Sequence, residues 1–276
     1  MAELLAEIYK RDVNVLKVVV CGACGRMGKE VIAKVCQLKE MKLIGAIEAP
    51  DHPFIGKNIG DVKISSDLES IVQSNCVIIE FTTPLATMEH LKIAEKKKML
   101  MVIGTTGFNE EEYGRIKETS CNIPILISPN MSIGINVLFK VVEEVSQVLG
   151  KNFDKEIVEV HHHNKKDAPS GTAKRIAQII AQTEGKDLSR VGVYGRKGIG
   201  KGRSKEEIGI HAIRGGSIVG EHTVVFAGEG ERLEITHRAE SRQIFAQGAI
   251  LGAKFISKQK KGLYDLQDAL GIKTTI

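Results

Sequence analysis

Val18-Val19-Val20-Cys21-Gly22-Ala23-Cys24-Gly25-Arg26-Met27-Gly28 is the stretch that decides the fold. An apolar run meets three glycines spaced G-x-x-G-x-x-G. Met27, Val31, Val35 and Leu38 then recur at helical spacing. Strand, glycine turn and helix in that order present backbone N–H groups and a helix N-terminus to a pyrophosphate. Gly25 lets backbone approach phosphate, and Gly28 lets the helix approach the strand. The next apolar run, Met41–Ile47, closes on Glu48, twenty positions after Gly28, where a carboxylate accepts ribose hydroxyls. Val18–Glu48 therefore reads as a dinucleotide-binding βαβ unit.

Ala49 stands beside Glu48, where an arginine would favour the 2′-phosphate of NADP. Glu48 repels such a phosphate, so NADH is favoured over NADPH, and Arg26 at the loop offsets part of that preference. Cys21-x-x-Cys24 lacks a second pair at zinc-ribbon spacing, which argues against a redox pair or structural zinc. Two small residues lining a tight turn account for it.

Outward from this unit, apolar runs alternate with amphipathic stretches as far as Ser128. Val15–Cys21, Met41–Ile47, Cys76–Phe81, Met99–Ile103 and Ile123–Ile127 read as strands buried on both faces of a parallel sheet. Met27–Lys39, Asp67–Ser74, Pro84–Lys97 and Asn109–Thr119 read as helices, with Pro84 suited to a first turn. The alternation gives a Rossmann-like, doubly wound α/β domain. Phe81-Thr82-Thr83-Pro84 and Gly104-Thr105-Thr106-Gly107 each follow a strand, at the carboxyl end where such sheets bind ligands; for Thr82 and Thr83, helix capping is the equal alternative.

The pattern changes near Pro129. A helix is predicted over Ile133–Leu149, a strand over Lys155–His163 and a helix over Ala173–Gln182. Antiparallel strands are predicted at Glu207–Arg214, Ser217–Ala227 and Glu231–Arg238, and a final helix at Ser241–Lys258. The expected division is a dinucleotide-binding domain over 1–132, completed by 242–276, and a mixed α+β domain over 133–241.

Composition bounds the function. The 276 residues carry a net charge of +5 and only 4% aromatics, with no Trp. That balance suits an acidic small molecule and argues against nucleic acid. No apolar run reaches the roughly 18 residues of a membrane span, and the charged first 20 residues do not read as a signal peptide. Residues 1–13 read as a short helical extension. Five cysteines, Cys21, Cys24, Cys36, Cys76 and Cys121, are an odd count set in strands and helices, which points to reduced thiols in a cytoplasmic protein.

Glu159-Val160-His161-His162-His163-Asn164-Lys165-Lys166-Asp167-Ala168-Pro169-Ser170-Gly171-Thr172 holds the densest chemistry. Its Ser-Gly-Thr end opens a helix and offers N–H groups and hydroxyls to a carboxylate. Histidine donates a proton near neutral pH, and an adjacent lysine adds positive charge and a second donor. The set suits reduction of an anionic, unsaturated substrate. A metal is not expected: in a strand His161 and His163 point away from His162, and His211, His222 and His237 lack ligand spacing. Arg196, Lys197, Lys201, Arg203 and Lys205 crowd a glycine-rich segment; an RNA-binding patch is one reading, and a mobile loop at a subunit contact or near substrate is the preferred one.

This motif resembles the E-x-H-H-x-x-K-x-D-A-P-S-G-T signature of the dihydrodipicolinate reductase family. The phosphate loop resembles that family's G-x-x-G-R-M-G. Val102–Gly107, Gly220–Thr223 and Glu231–His237 are also similar, so the resemblance spans roughly residues 15 to 270. It implies NADH- or NADPH-dependent reduction of 4-hydroxy-tetrahydrodipicolinate on the diaminopimelate route to lysine. It also implies a small dicarboxylate substrate and a homotetramer, assembled through a C-terminal α+β domain with a mixed sheet. His161 would be the general acid/base and Lys165 the second proton donor. His162, Ser170, Gly171 and Thr172 would hold the substrate carboxylates. Gly22, Ala23, Cys24, Gly25, Arg26, Met27, Glu48, Gly104, Thr105, Thr106, Ser128, Pro129, Asn130 and Met131 would line the cofactor. Two departures stand out: Cys24 replaces a glycine common in the loop, and Ala49 stands where some members carry arginine. Another two-domain amino-acid dehydrogenase, or a dinucleotide sensor without chemistry, remain the alternatives.

Overall fold

The first strand, β1 (Leu16–Cys21), is buried along its last four residues, as a central strand of a covered parallel sheet must be. A computed structural model describes residues 15–71 and 75–273, so the expected extension at 1–13 lies outside the described residues, as do the last residues of the helix expected at Asp67–Ser74. After β1 come α1 (Arg26–Gln37), β2 (Met41–Ile47), β3 (Asn58–Ile59), β4 (Val62–Ser65) and α2 (Leu68–Ile71). Then follow β5 (Cys76–Glu80), α3 (Pro84–Lys97), β6 (Leu100–Ile103), α4 (Glu110–Ser120) and β7 (Pro124–Ile127). The sheet runs β13-β7-β6-β5-β1-β2-β4-β3, with β13 (Gly262–Tyr264) pairing parallel to β7 and only β3 antiparallel. Chain order reverses beside β1, which is where a doubly wound sheet opens a crevice.

Local chemistry sets the ends of these helices. Thr83 caps α3 by accepting from Ala86 N, with Pro84 in the first turn. Asn109 and Glu112 form a reciprocal capping box on α4. One face of α1 buries Val31, Ile32 and Val35.

The second unit contains α5 (Ile133–Leu149), β8 (Asp154–His161), α6 (Gly171–Thr183), α7 (Leu188–Val191), β9 (Gly192–Tyr194), β10 (Ile208–Arg214), β11 (Gly220–Ala227) and β12 (Arg232–Ala239). Its sheet runs β12-β11-β8-β10-β9. Ile135, Leu138, Phe139 and Val142 of α5 pack with Ile176, Ala177 and Ile180 of α6 on Ile157, Ile210, Val224 and Phe226 of that sheet. The first unit ends at Ser128 and takes back Phe245–Ala269, which holds most of α8 (Gln243–Ile256) and, after β13, most of α9 (Leu266–Leu270). The second runs from Pro129 to Ile244 and resumes at Leu270.

Two expectations need correction. The Glu207–Arg214 segment is not antiparallel: β10 runs parallel to both β8 and β9, because the crossover through α6 and α7 returns the chain in the same direction. The strand expected to run to His163 ends at His161, since Gly215 N and His163 N turn to the carbonyls of His161 and Gly216.

Candidate active site

In the first unit, the glycine loop is held by β2. Gly22 N and Ala23 N donate to Ile47 O at 2.9 and 3.0 Å. Gly22 takes φ +77°, and a Cβ there would lie 2.3 Å from Phe81 O. A Cβ on Gly28 would lie 2.1 Å from Gly22 O, so only glycine lets α1 sit this close to the turn. Gly25 is the N-cap of α1 and no side chain caps the helix, which leaves its first N–H groups without a side-chain acceptor. Glu48 lies beside the loop: its Oε2 accepts from Cys24 N at 2.9 Å and its Oε1 from Ala49 N at 3.1 Å. An uncapped helix start, a glycine-bounded turn and an adjacent carboxylate fit the pyrophosphate and ribose of a dinucleotide.

Behind this loop the two threonine segments come together. Thr82 N donates to Thr105 Oγ1 at 3.1 Å, and Thr87 Oγ1 lies 3.1 Å from the same oxygen. Gly104 is pressed on the Phe81 ring, where a Cβ would meet it at 2.2 Å. Thr106 is exposed and Thr105 buried. Thr83 is spent on capping α3, so the capping alternative holds for that residue. Thr82 also contacts the buried Glu80, which pairs with His90 Nδ1 at 2.7 Å. Ser128 is buried after β7, with its N–H on Ile103 O at 3.3 Å.

In the second unit, β8 alternates half-buried and buried residues, so Glu159 and His161 share the covered face. His161 Nδ1–H donates to Glu159 Oε2 at 2.6 Å. Arg214 grips both Glu159 oxygens at 2.7 Å and also donates to Asp167 O. Ser170 N donates to Glu159 Oε1 at 2.9 Å, which joins the strand end to the start of α6. Burial works against a charge on Glu159, but the hydrogen bonds from His161, Arg214 and Ser170 prevail and hold its carboxyl at about 2. Gly220 packs closely over His161: a Cβ there would approach its Nε2 to 3.0 Å, so the ring would have to give by a few tenths of an ångström.

Ser170 caps α6, and its hydroxyl also lies 3.0 Å from His222 Nε2. Gly171 and Thr172 form the first turn, whose N–H groups have no intrahelical acceptor. Thr172 Oγ1 accepts from Asn130 Nδ2 at 3.0 Å, so Asn130, expected at the cofactor, is engaged with an expected substrate residue. Pro129 is exposed and Met131 buried. His162 is half-buried, and Lys165 reaches Asp167 at 2.9 Å.

Sequence reading assigned no role to Glu159, Arg214, His222 or His237. The pairing explains why. Arg214 is register partner of His161, while His222 pairs with both Glu159 and His237 across β11. His222 and His237 are thus brought to the strand end that holds Glu159 and His161, whereas His211 lies further back along β10 and bonds Glu156 at 2.7 Å. The rings of His222 and His161 meet edge-on at 5.2 Å, and His237 Nε2 lies 3.3 Å from Ser132 Oγ. Only the i, i+2 spacing of Glu159 and His161 was readable beforehand. At the two ends of the glycine-rich basic segment, Arg196 and Arg203 both bind Glu156, and Arg203 also takes Asp154.

Burial, reinforced by the nearby His161, pushes His222 down to about 3. Its folded value lies below the ordinary 6.5, so its contribution is full above that pH and is lost as pH falls toward 3. The melting temperature of the parent should therefore drop more steeply over this window than that of His222→Gln, as pH-resolved calorimetry would register. Equal slopes would mean His222 takes up its proton while folded.

Both halves match family models for dihydrodipicolinate reductase, the N-terminus at residues 16–131 and the C-terminus at 134–270. A 4-hydroxy-tetrahydrodipicolinate reductase from Geotalea daltonii is 47% identical over 266 residues, covering 94% of this chain and 100% of that one. One from Syntrophus aciditrophicus is 48% identical over 267 residues, with the same coverage of 94% and 100%. The solved structure of a dipicolinate-bound dihydrodipicolinate reductase from Paenisporosarcina sp. TG-14 superposes with a TM-score of 0.72 at 26% identity, covering 91% of this chain and 97% of that one.

Proposed function

The chain belongs to the dihydrodipicolinate reductase family, and on that premise we propose that it reduces 4-hydroxy-tetrahydrodipicolinate, by way of dihydrodipicolinate, to tetrahydrodipicolinate with NADH or NADPH. The observation that carries this reading is the buried Glu159, holding His161, Arg214 and the Ser170 N–H in one cluster at the strand-to-helix junction.

The residues divide the work as follows. His162, Ser170, Gly171 and Thr172 hold the substrate carboxylates, with the first turn of α6 lending its N–H groups. His161 and Lys165 protonate the leaving hydroxyl while the adjacent ring carbon gives up a proton, which recharges the pair, so that water departs from the 4-hydroxy substrate and a ring double bond forms. The same pair supplies the proton that completes the reduction. Glu159 accepts from His161 Nδ1–H and so leaves Nε2 to exchange protons. Gly22 to Met27, Glu48, Gly104 to Thr106 and Ser128 to Met131 hold the dinucleotide, which supplies a hydride when bound. Domain limits of 1–132 with 242–276, and 133–241, belong to the same reading, as do a homotetramer built through the second domain and a cytoplasmic setting for the free cysteines.

The deciding assay follows nicotinamide absorbance with freshly made substrate, using NADH and NADPH in parallel. Turnover with either supports the reductase, whereas tight binding without oxidation points to a dinucleotide sensor. NADH should be the better cofactor, because Glu48 repels a 2′-phosphate and Ala49 offers no compensating charge. Glu48→Gln should shift the NADPH-to-NADH ratio of kcat/KM upward about tenfold, the equivalent of some 1.4 kcal/mol. An unmoved ratio would remove Glu48 from cofactor selection.

A further inference from the structure

Among the described residues, Cys24, Glu48 and His52 place a thiol sulfur, a carboxylate oxygen and an imidazole nitrogen within 4.8 Å of one another. All three residues are half-buried, so a small ion can reach them. We propose that they form a site for a borderline-soft divalent cation such as Zn²⁺, whose occupancy excludes the dinucleotide. The second part rests on the reading of this loop as the cofactor site.

The donor set is chemically selective. Thiolate, imidazole and carboxylate together suit Zn²⁺ or Co²⁺, and a thiolate is a poor ligand for Mg²⁺ or Ca²⁺. Charge also balances: a thiolate and a carboxylate neutralise a divalent ion, and imidazole adds a neutral donor. In the metal-free state the Cys24 thiol is kept protonated, by burial first and then by the adjacent Glu48 charge, with Lys29 opposing. Binding releases that proton and forms an S–metal bond, while the cation takes over contact with Glu48. His52 gives up only the 3.3 Å bond its Nδ1 accepts from Phe54 N. Three protein ligands leave one tetrahedral position for water.

The other grouping of this kind, Cys21 with Glu80 and His90, is different in character. Cys21 and Glu80 are wholly buried, and both Glu80 oxygens already have partners in Thr82 and His90. An ion there would have to displace both of those partners. At Cys24 the situation is reversed. The sulfur sits in the phosphate loop and the carboxylate is the one expected to accept ribose hydroxyls, so Glu48 cannot serve cation and dinucleotide together.

The test titrates the full-length chain with Co²⁺ under anaerobic conditions and reads thiolate-to-cobalt charge-transfer absorption. The expected result is a band that disappears in Cys24→Ser, binds at least about tenfold more weakly in His52→Ala, and is erased by NADH. In parallel, Zn²⁺ should raise the apparent KM for NADH at constant kcat. His52→Ala should keep the zinc-free rate while losing most of the inhibition, and Mg²⁺ should have no effect. A band that persists in Cys24→Ser would place the ion at the exposed Cys36 or Cys121 and overturn the site. Simultaneous binding of Co²⁺ and NADH would overturn the competition. Nicotinamide fluorescence on the metal-free chain separates the two readings. If NADH does not bind there, the dinucleotide assignment fails and the competition falls with it, while the cobalt band still reports the cation site.

Discussion

Lys165→Ala is expected to lower kcat by about 10²–10⁴-fold, the usual contribution of a positioned proton donor, while leaving NADH binding nearly unchanged. The argument starts from place. Lys165 lies in the turn that leaves β8, within the second unit, whereas the glycine loop and Glu48, expected to hold the dinucleotide, belong to the first. Its ion pair is with Asp167, whose side chain is 54% exposed. A pair this open to water contributes about 0–1 kcal/mol, so the variant should fold like the parent. Loss of turnover with intact folding and intact cofactor binding isolates chemistry from structure. Stopped-flow mixing, with cofactor fluorescence read separately, makes the measurement. A kcat within about twofold of the parent would deny Lys165 any proton transfer on the scale expected of a donor.

The second large effect falls on stability. Glu159→Ala removes a wholly buried carboxylate that the two terminal guanidinium nitrogens of Arg214 grip at 2.7 Å. Arg214 keeps its charge but loses its counter-ion, a change that costs about 3–5 kcal/mol in buried pairs. The transition of the second unit should then fall by about 6–20 °C. The pH dependence has a definite sign. Glu159 is held at about 2 against an ordinary 4.5, so its contribution is full above pH 4.5 and is lost as pH falls toward 2. The gap between parent and variant should be widest at neutral pH and close across that acid window. Glu159→Gln keeps the shape and an acceptor for Ser170 N–H but loses the charge that fixes His161. It should retain more stability than the alanine variant and still show a displaced pH–rate profile, which a merely structural role would not produce. A Gln variant with the parental profile would reduce Glu159 to a structural brace.

These two residues also mark how far the sequence could be read. Lys165 could be proposed from sequence because its signal is local: a lysine four places after a histidine, in a polar run leading to a helix start, needs no partner from elsewhere. The phosphate loop was legible for the same reason. Gly22, Gly25 and Gly28 answer to steric demands within one strand–turn–helix, and the 2.1 Å approach of a Cβ on Gly28 to Gly22 O shows that demand directly. Buried parallel strands announced themselves as unbroken Val/Ile runs, since both of their faces are covered.

What the sequence could not supply lay across strand pairings. Arg214 is 55 residues from Glu159 and His222 is 52 from Ser170, and no local period links them. β10 was misread as antiparallel because alternation along a strand is the same in either direction, and only the crossover through α6 and α7 decides it. β9, β3 and β13 are two or three residues long, too short to carry a pattern. By itself, then, the sequence determined the βαβ unit, the division of elements into two groups, and which His-Lys-Ser-Gly-Thr run to propose for the chemistry, all governed by neighbours along the chain. Tertiary structure alone decided which charges neutralise one another. A buried carboxylate is tolerable only where distant hydrogen-bond donors converge on it, and convergence is a property of register and crossover.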